Sequence, residues 1–219
     1  MIEKLNMNFA KDIFINTEVM DWVQSPAANV LRKPLEREGR EHGHTTSIVE
    51  YLPGASFMKH EHPLGEEIFV LEGTFSDENG DYPAGTYMRN PPGSSHAPFS
   101  KNGCKIFVKL NQFASKDLKQ VVINTNKEVW RPGQGNLEVM PLHSYGAESV
   151  ALVKWPENEV FLPHTHYGGE EIFVISGEFI DENGHYPKGS WIRNGHLSNH
   201  HPRVEEETII MVKVGHIKA

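Results

Sequence analysis

An internal repeat constrains this chain more than any other feature of its sequence. Residues 60–96 and 164–200 align without a gap, 104 residues apart, and are identical at 21 of 37 positions. Self-similarity on this scale indicates two copies of one folding unit. We therefore expect two domains in the 219-residue chain, an N-terminal unit at residues 1–112 and a C-terminal unit at residues 113–219.

Both copies have the sequence pattern of short β-strands. Runs such as Ile68–Leu71 and Ile172–Ile175 are rich in β-branched and aromatic residues, and no long stretch has the 3.6-residue period of a helix. Asn79–Gly80 and Asn183–Gly184 predict two-residue hairpins of type I′, which need positive φ at both central residues. Many short strands separated by turn signals predict an all-β sandwich or barrel.

Each copy also repeats a set of side chains that can bind a metal ion. Side chains alternate along a strand, so the two histidines of a His-x-His pair point the same way. Three imidazoles and one carboxylate suit zinc, iron(II), manganese(II), nickel(II) or copper(II), and they suit magnesium and calcium poorly. The expected ligands are His60, His62, Glu66 and His96 in the first copy and His164, His166, Glu170 and His200 in the second.

The spacing also bears on neighbouring side chains. Consecutive residues of a strand face opposite sides, so only one of Glu66 and Glu67 can join the histidines. His42 and His44 form another His-x-His pair without a matching glutamate, and they belong either to a loop or to the lining of a pocket. Aromatic and arginine side chains are further candidates for pocket walls: Tyr51, Phe57, Tyr82, Tyr87 and Arg89, with Tyr186, Trp191 and Arg193 in the second copy.

Charge and cysteine content exclude several classes of protein. The formal net charge of −8 argues against nucleic-acid binding and against attachment to anionic membranes. The single cysteine, Cys104, excludes an intrachain disulfide framework, and the alternating apolar run beside it predicts a buried thiol. The first residues contain no hydrophobic signal region, and no apolar run reaches the ~20 residues that span a bilayer. We therefore expect a cytoplasmic protein.

The expected metal ligands lie within two motifs that resemble those of the cupin superfamily. The first motif has the form G-x5-H-x-H-x3-E-x6-G, and the second has the form G-x5-P-x-G-x2-H. The resemblance implies two tandem cupin barrels, a fold also described as a double-stranded β-helix or jelly roll. In the first copy the matching residues are Gly54, His60, His62, Glu66 and Gly73, followed by Gly85, Pro91, Gly93 and His96.

The second copy departs from the cupin pattern at two places. Asn158 replaces the glycine that opens the first motif, a change that a turn with positive φ tolerates. Residues 195–197 read Gly-His-Leu where residues 91–93 read Pro-Pro-Gly. This second departure leaves the shape of the rim open, and His196 or His201 could compete as a metal ligand.

The resemblance is closer to the ChrR-like cupins than to cupins in general. Matching stretches include residues 46–55, 65–73, 75–87 and 91–96, and the second copy is of the same type, so the resemblance covers nearly the whole chain. It implies that each unit holds a divalent ion through its His-His-Glu-His set. Zinc is the first expectation, and iron(II), manganese(II) and nickel(II) are the alternatives.

The same resemblance implies a function. ChrR proteins are anti-sigma factors whose cupin domain senses oxidative signals, so the chain is expected to be a regulatory or sensor protein with a small-molecule ligand or a protein partner. Two units fill the sequence, and we expect the N-terminal zinc domain that binds sigma factors to be absent. The alternative is a metal-dependent dioxygenase that acts on small ketones or diketones. A homodimer is compatible with either function.

Overall fold

The structure, a computed structural model, describes residues 4–217, and nearly all of its regular structure is β. Within this range the chain forms two compact units. Unit 1 comprises residues 4–7 and 21–128, and unit 2 comprises residues 8–20 and 129–217. The expected halves, 1–112 and 113–219, follow the order of the copies along the chain, whereas the compact units group residues 8–20 with the second copy. In the described residues no helix is long and apolar enough to cross a membrane.

Short antiparallel strands make up the first part of the chain. A single turn of 3₁₀ helix, Thr17–Val19, follows the first strand. The strands are β1 (Ile13–Asn16), β2 (Val23–Gln24), β3 (Val30–Arg37), β4 (Thr45–Tyr51), β5 (Ala55–Ser56), β6 (His60–His62), β7 (Glu66–Asp77), β8 (Gly80–Pro83), β9 (Thr86–Asn90), β10 (Ser94–His96), β11 (Phe99–Ser100), β12 (Cys104–Leu110) and β13 (Val121–Asn124).

The second part of the chain repeats this pattern of strands. A 3₁₀ turn, Thr125–Lys127, follows β13 just as Thr17–Val19 follows β1. The strands are β14 (Arg131–Pro132), β15 (Glu138–Tyr145), β16 (Glu148–Trp155), β17 (His164–Thr165), β18 (Glu170–Ser176), β19 (Glu178–Asp181), β20 (Gly184–Pro187), β21 (Ser190–Asn194), β22 (Asn199–His200) and β23 (Thr208–Val214).

The main sheet of unit 1 runs in the order β13-β9-β7-β12-β4-β3-β2, and its pairings are antiparallel. Alternate side chains of this sheet, among them Ile68, Val70 and Val108, pack into an apolar core. A second sheet of two strands, β6 and β10, pairs His60 directly with His96. The short sheet therefore brings together two histidines that are far apart in the sequence.

Unit 2 has the same architecture. Its main sheet runs in the order β1-β21-β18-β23-β16-β15-β14, with β1 paired antiparallel to β21. This pairing explains why residues 8–20 belong to unit 2. The short sheet of β17 and β22 pairs His164 with His200, as its counterpart in unit 1 pairs the equivalent histidines. The prediction of an all-β fold with two barrels is confirmed.

The hairpins predicted at the two Asn-Gly pairs are present, but the predicted turn type is wrong. Asp77 pairs with Gly80, so the two loop residues are Glu78 and Asn79, and neither has positive φ. The Asp77 side chain accepts a hydrogen bond from the backbone N–H of Asn79 at 2.7 Å. This local bond stabilises a turn that needs no left-handed residue. The hairpin after Asp181 repeats the arrangement.

The two departures of the second copy keep the backbone of the first. Asn158 has φ 61° where Gly54 has φ 78°, which confirms that the substitution is compatible with a left-handed turn. Leu197 has φ 65° where Gly93 has φ 82°. A leucine in this region is strained, because its Cβ crowds the following carbonyl group. The second rim therefore keeps the shape of the first at an energetic cost.

Candidate metal centres

Three histidines converge in unit 1. The ring centroids lie 5.0 Å apart for His60 and His62, 5.2 Å for His60 and His96, and 4.8 Å for His62 and His96. One ring nitrogen from each of the three lies within 4.8 Å of the others. The His-x-His alternation delivers two of these rings from β6, and the pairing of β6 with β10 delivers the third.

The carboxylate of Glu66 lies beside this group rather than within it. Its Oε2 atom is 3.5 Å from His62 Nε2 and 3.4 Å from His96 Nε2, yet it does not fall within 4.8 Å of all three imidazoles. Glu67 points to the other face of the sheet, where it accepts a 2.6 Å hydrogen bond from the Tyr87 hydroxyl. The expected choice between the two glutamates thus falls on Glu66.

In unit 2, four donors converge. His164, His166, Glu170 and His200 each offer an atom within 4.8 Å of the other three. Glu170 Oε2 lies 3.4 Å from His166 Nε2 and 3.6 Å from His200 Nε2. Among residues 4–217, His196 and His201 are outside this group. The rim histidine His196 instead accepts a hydrogen bond at Nδ1 from a backbone N–H group at 2.9 Å.

Unsatisfied nitrogens show that these residues fit a cation. The Nε2 atoms of His62, His96, His166 and His200 are buried and have no hydrogen-bond partner within the described part of the chain. Burial, reinforced by the neighbouring imidazoles, lowers the pKa of His62 to about 4 and that of His166 to about 3. The rings of His62 and His166 are therefore neutral near pH 7, the state that binds a metal ion. A divalent cation would bind the buried Nε2 lone pairs that have no partner in the described part of the protein.

The opposite ring nitrogens are held by the protein. His96 Nδ1 lies 3.2 Å from Asp77 Oδ2, and His60 Nδ1 lies 2.9 Å from the carbonyl oxygen of Met58. An acceptor at Nδ1 keeps the proton there and directs the Nε2 lone pair toward the centre of the group. Unit 2 repeats both contacts, between His200 and Asp181 at 3.3 Å and between His164 and the Leu162 carbonyl at 3.0 Å.

The carboxylates are oriented in the same way. Asn90 donates a hydrogen bond to Glu66 Oε2 at 2.9 Å, and Asn194 donates to Glu170 Oε2 at 3.2 Å. Burial raises the pKa of Glu66, and it raises the pKa of Glu170 to about 7. These asparagines and the supporting aspartates were not among the predicted site residues. A signal was available, because each of them recurs 104 residues later in the other copy.

A cavity of about 640 Å³ opens beside the imidazoles of unit 1. His60, His62 and Glu66 form part of its wall. Tyr51 and Phe57 line it as predicted, with their rings in edge-to-face contact at 5.5 Å. The wall also includes apolar strand residues and charged residues from β3 and the segment after it: Val49, Ile106, Val108, Leu110, Arg32, Arg37, Glu38 and Glu41.

Several other candidate wall residues have different roles. His42 and His44 lie in the bend between β3 and β4 and also line the cavity, so both of their interpretations hold. Tyr87 and Arg89 lie at the buried carboxylate of Glu67 and are not part of the cavity wall. In unit 2, Trp191 corresponds to Tyr87 and makes the equivalent contact, because its indole N–H donates to Glu171 Oε1 at 2.9 Å. Tyr82 and Tyr186 donate to Asp77 and Asp181 instead.

Comparison with known protein families gives a match over both copies. The family model of the ChrR cupin-like domain matches residues 10–114 and again residues 118–218. This chain belongs to the ChrR cupin-like family. Its fold is therefore that of two tandem cupin barrels, and its histidine groups could hold metal ions. No curated protein sequence matches this ChrR-like cupin significantly.

Solved structures support the cupin fold at low sequence identity. A candidate dioxygenase from Nostoc punctiforme has a TM-score of 0.77 at 14% identity, with 94% of this chain and 82% of that chain covered. A cupin 2 conserved barrel domain protein from Leptotrichia buccalis gives 0.66 at 14% identity over 98% and 99%. A variant of Bacillus subtilis oxalate decarboxylase gives 0.64 at 12% identity over 94% and 78%.

The two cupin units differ in how many donor atoms lie within 4.8 Å of one another, although each glutamate lies at similar distances from two imidazoles. Four protein donors around one point, as in unit 2, can close a tetrahedral shell. Three imidazoles next to a cavity, as in unit 1, leave room for a water molecule or a ligand at the cation.

Proposed function

We propose that this ChrR-like cupin is a metal-dependent enzyme whose reaction takes place in unit 1. The observation that carries the proposal is the cavity of about 640 Å³, whose wall includes His60, His62 and Glu66. Pockets of ~300–1,000 Å³ are typical of sites for small organic molecules. A molecule in this cavity would lie directly against the candidate metal ligands.

The residues of unit 1 have distinct roles in this proposal. His60, His62 and His96 hold the cation, which when bound supplies a Lewis acid with positions open to substrate. Tyr51 and Phe57, together with the apolar strand residues, exclude water from the organic part of the substrate. Glu66 is buried and hydrogen-bonded to Asn90, and it can accept or release a proton at Oε1 while Oε2 stays anchored.

The reaction that we propose is oxygen-dependent oxidation of a small ketone or diketone, with iron(II) as the working metal. Imidazole ligands suit iron(II) as well as zinc. The fold similarity to a candidate dioxygenase supports this reaction class only at the level of the fold. Unit 2, with its four donors, has a structural role in the proposal and holds zinc.

Oxygen consumption tests the proposal directly. The iron(II)-loaded protein is incubated with a panel of diketones and hydroxyaryl ketones, and uptake is followed with an oxygen electrode. We expect turnover with the native chain and its loss in His62→Ala. The matched control is His185→Ala, which removes an exposed histidine of unit 2 that contacts Glu178 and lies outside both donor groups. An absence of uptake over the whole panel would contradict the enzymatic proposal.

A second candidate function is that of a sensor, and the family match favours it. In this proposal a ligand or oxidant in unit 1 changes the affinity for a protein partner related to the anti-sigma system. The cation would then bind without turnover. Size-exclusion chromatography of the metal-loaded chain with a purified sigma factor tests it. Co-elution that is lost on metal removal supports the sensor, and separate elution in both states contradicts it.

A further inference from the structure

Two arginines line the cavity of unit 1, and neither belongs to the two motifs that contain the expected metal ligands. Arg32 and Arg37 both lie on β3 and are largely buried, with 18% and 21% of their side chains exposed. Arg37 Nε is buried and has no hydrogen-bond partner in the described residues. Burial lowers the pKa of Arg37, and the charge of Arg32 lowers it further. Arg37 Nη1 donates a 2.7 Å hydrogen bond to the carbonyl oxygen of Arg40. The protein therefore holds two guanidinium groups together in a largely buried position, and the Nε donor of Arg37 is unused.

A β-bulge explains how both side chains reach the same cavity. Residues five apart on a regular strand face opposite sides of a sheet. The register of β3 against β4 shifts between Pro34 and Glu36, so one extra residue is accommodated there. Arg32 and Arg37 consequently point to the same side. Their juxtaposition depends on a specific feature of the backbone.

Unit 2 keeps the bulge and lacks both charges. Arg32 pairs with Val49 in unit 1. In unit 2, Val139 pairs with Val153, which lies 104 positions after Val49, so Val139 corresponds to Arg32. By the same register Arg37 corresponds to Ser144. The backbone of the two copies is thus equivalent here, and the arginines are present in unit 1 but not at the equivalent positions of unit 2. A purely structural requirement of the bulge would apply equally to both units.

A carboxylate already lies against these guanidinium groups. Glu41 Oε2 is 2.9 Å from Arg32 Nη1, and Glu41 Oε1 is 3.8 Å from Arg37 Nη1. The Glu41 side chain is 47% exposed, and ion pairs of such residues contribute little stability. A ligand carboxylate could therefore displace Glu41 at small cost. The planar fork of arginine binds carboxylates through two parallel hydrogen bonds, which favours this type of anion.

The other carboxylates of the cavity wall are engaged or remote. Glu38 accepts a hydrogen bond from the His44 backbone N–H at 3.2 Å. Glu66 lies at the imidazoles, and Glu61 is on the exposed side of the rim. We propose that Arg32 and Arg37 bind the carboxylate of a small organic acid in the unit 1 cavity. The inference rests on the proposed function for the location of the ligand, and it names the ligand's chemical class.

Calorimetry of the zinc-loaded protein tests ligand class without turnover. Phenylpyruvate carries a carboxylate, and phenylacetone has the same skeleton with a methyl group in its place. We expect saturable binding of phenylpyruvate and at least tenfold weaker binding of phenylacetone. Inorganic phosphate distinguishes a specific carboxylate site from a general anion site. Equal affinity for phosphate, or equal affinity for the two organic ligands, would overturn the proposal.

Variants that copy unit 2 test the residues. We expect Arg32→Val and Arg37→Ser each to weaken phenylpyruvate binding by about tenfold or more, as for a lost charge-assisted hydrogen bond. Arg37→Lys, which keeps the charge and loses the fork, should fall between native and Arg37→Ser. The matched control is Arg131→Ser, which removes an exposed arginine side chain in β14 of unit 2, outside the cavity wall. Unchanged affinity in both charge-removing variants would overturn the assignment.

Removal of the internal carboxylate gives a test that misfolding cannot imitate. Glu41→Gln frees the guanidinium groups, so phenylpyruvate should bind several-fold more tightly. Weaker or unchanged binding would contradict the role of Glu41 as a displaceable counter-ion. The two proposals fail separately. Carboxylate binding without any oxidation contradicts the enzymatic function alone, and oxidation of uncharged ketones without carboxylate binding contradicts this inference alone.

Discussion

The hydrogen bond between Asp77 and His96 gives the sharpest prediction about the metal centre of unit 1. The carboxylate can only accept, so the proton stays on His96 Nδ1 and the Nε2 lone pair faces the cation site. In Asp77→Asn, an amide NH₂ group can occupy the position of Oδ2. That group donates, which favours the tautomer with the proton on Nε2. A protonated Nε2 cannot bind a metal ion.

The expected loss follows from this contact. Substitution of such a supporting partner costs about 10- to 100-fold in metal affinity, or about 1.4–2.7 kcal/mol. The fold should be little affected, because the other oxygen of Asp77 accepts from Asn79 N at 2.7 Å and from the Tyr82 hydroxyl at 3.1 Å. The asparagine carbonyl can keep both bonds. The loss should therefore appear in metal affinity and not in the free energy of unfolding of the metal-free protein.

Chelator competition measures the effect in isolation. Zinc affinity is determined in a His166→Ala background, in which the group of unit 2 is disabled, with and without Asp77→Asn. Asp81→Asn is the matched control, because it lies on the same hairpin and contacts Ser76 rather than a histidine. A metal affinity of Asp77→Asn within twofold of the control would refute the assigned role of this hydrogen bond.

Three further predictions concern other parts of the chain. Leu197→Gly should stabilise the protein by about 0.5–1 kcal/mol in thermal unfolding, because relief of the left-handed strain exceeds the entropic cost of glycine. Gly93→Leu should destabilise the protein. A loss of stability in Leu197→Gly would contradict the strain at Leu197. Cys104 should not react with a thiol reagent at pH 8 until the protein is unfolded, because the thiol is buried and burial raises its pKa to about 11; rapid labelling of the folded chain would contradict this. The metal affinity of unit 2 should fall as the pH drops below about 7, because burial raises the pKa of Glu170 to about 7 and only the deprotonated carboxylate binds a cation. Calorimetry in two buffers should show proton release on metal binding at pH 6. An absence of proton release would contradict the raised pKa.

The repeat made the fold and the centre of the site predictable. A side-chain pattern that recurs after 104 residues defined the histidines. Strand alternation allowed only one of Glu66 and Glu67 to join them, and the resemblance to the cupin motif indicated Glu66. These inferences need only local geometry and a comparison of one copy with the other. The supporting contacts of Asp77 and Asn90 recur by the same period, so the sequence contained a signal for them as well.

Other features depend on interactions that a local pattern does not contain. The turn at Asp77 was assigned the wrong type because its side chain stabilises a turn that the Asn-Gly pair alone does not indicate. The grouping of residues 8–20 with unit 2 depends on the pairing of β1 with β21, which is a long-range contact. The arginine pair depends on a bulge that reverses the facing of Arg37.

Elemental analysis tests the central claim most directly, namely that each cupin unit grips a divalent cation through its imidazoles. The protein is purified without added chelator, and its metal content is compared with that of a variant carrying both His62→Ala and His96→Ala. We predict close to one ion per unit in the native chain and loss of the unit 1 ion in the variant. A native chain without bound metal, or a variant with unchanged metal content, would contradict the account.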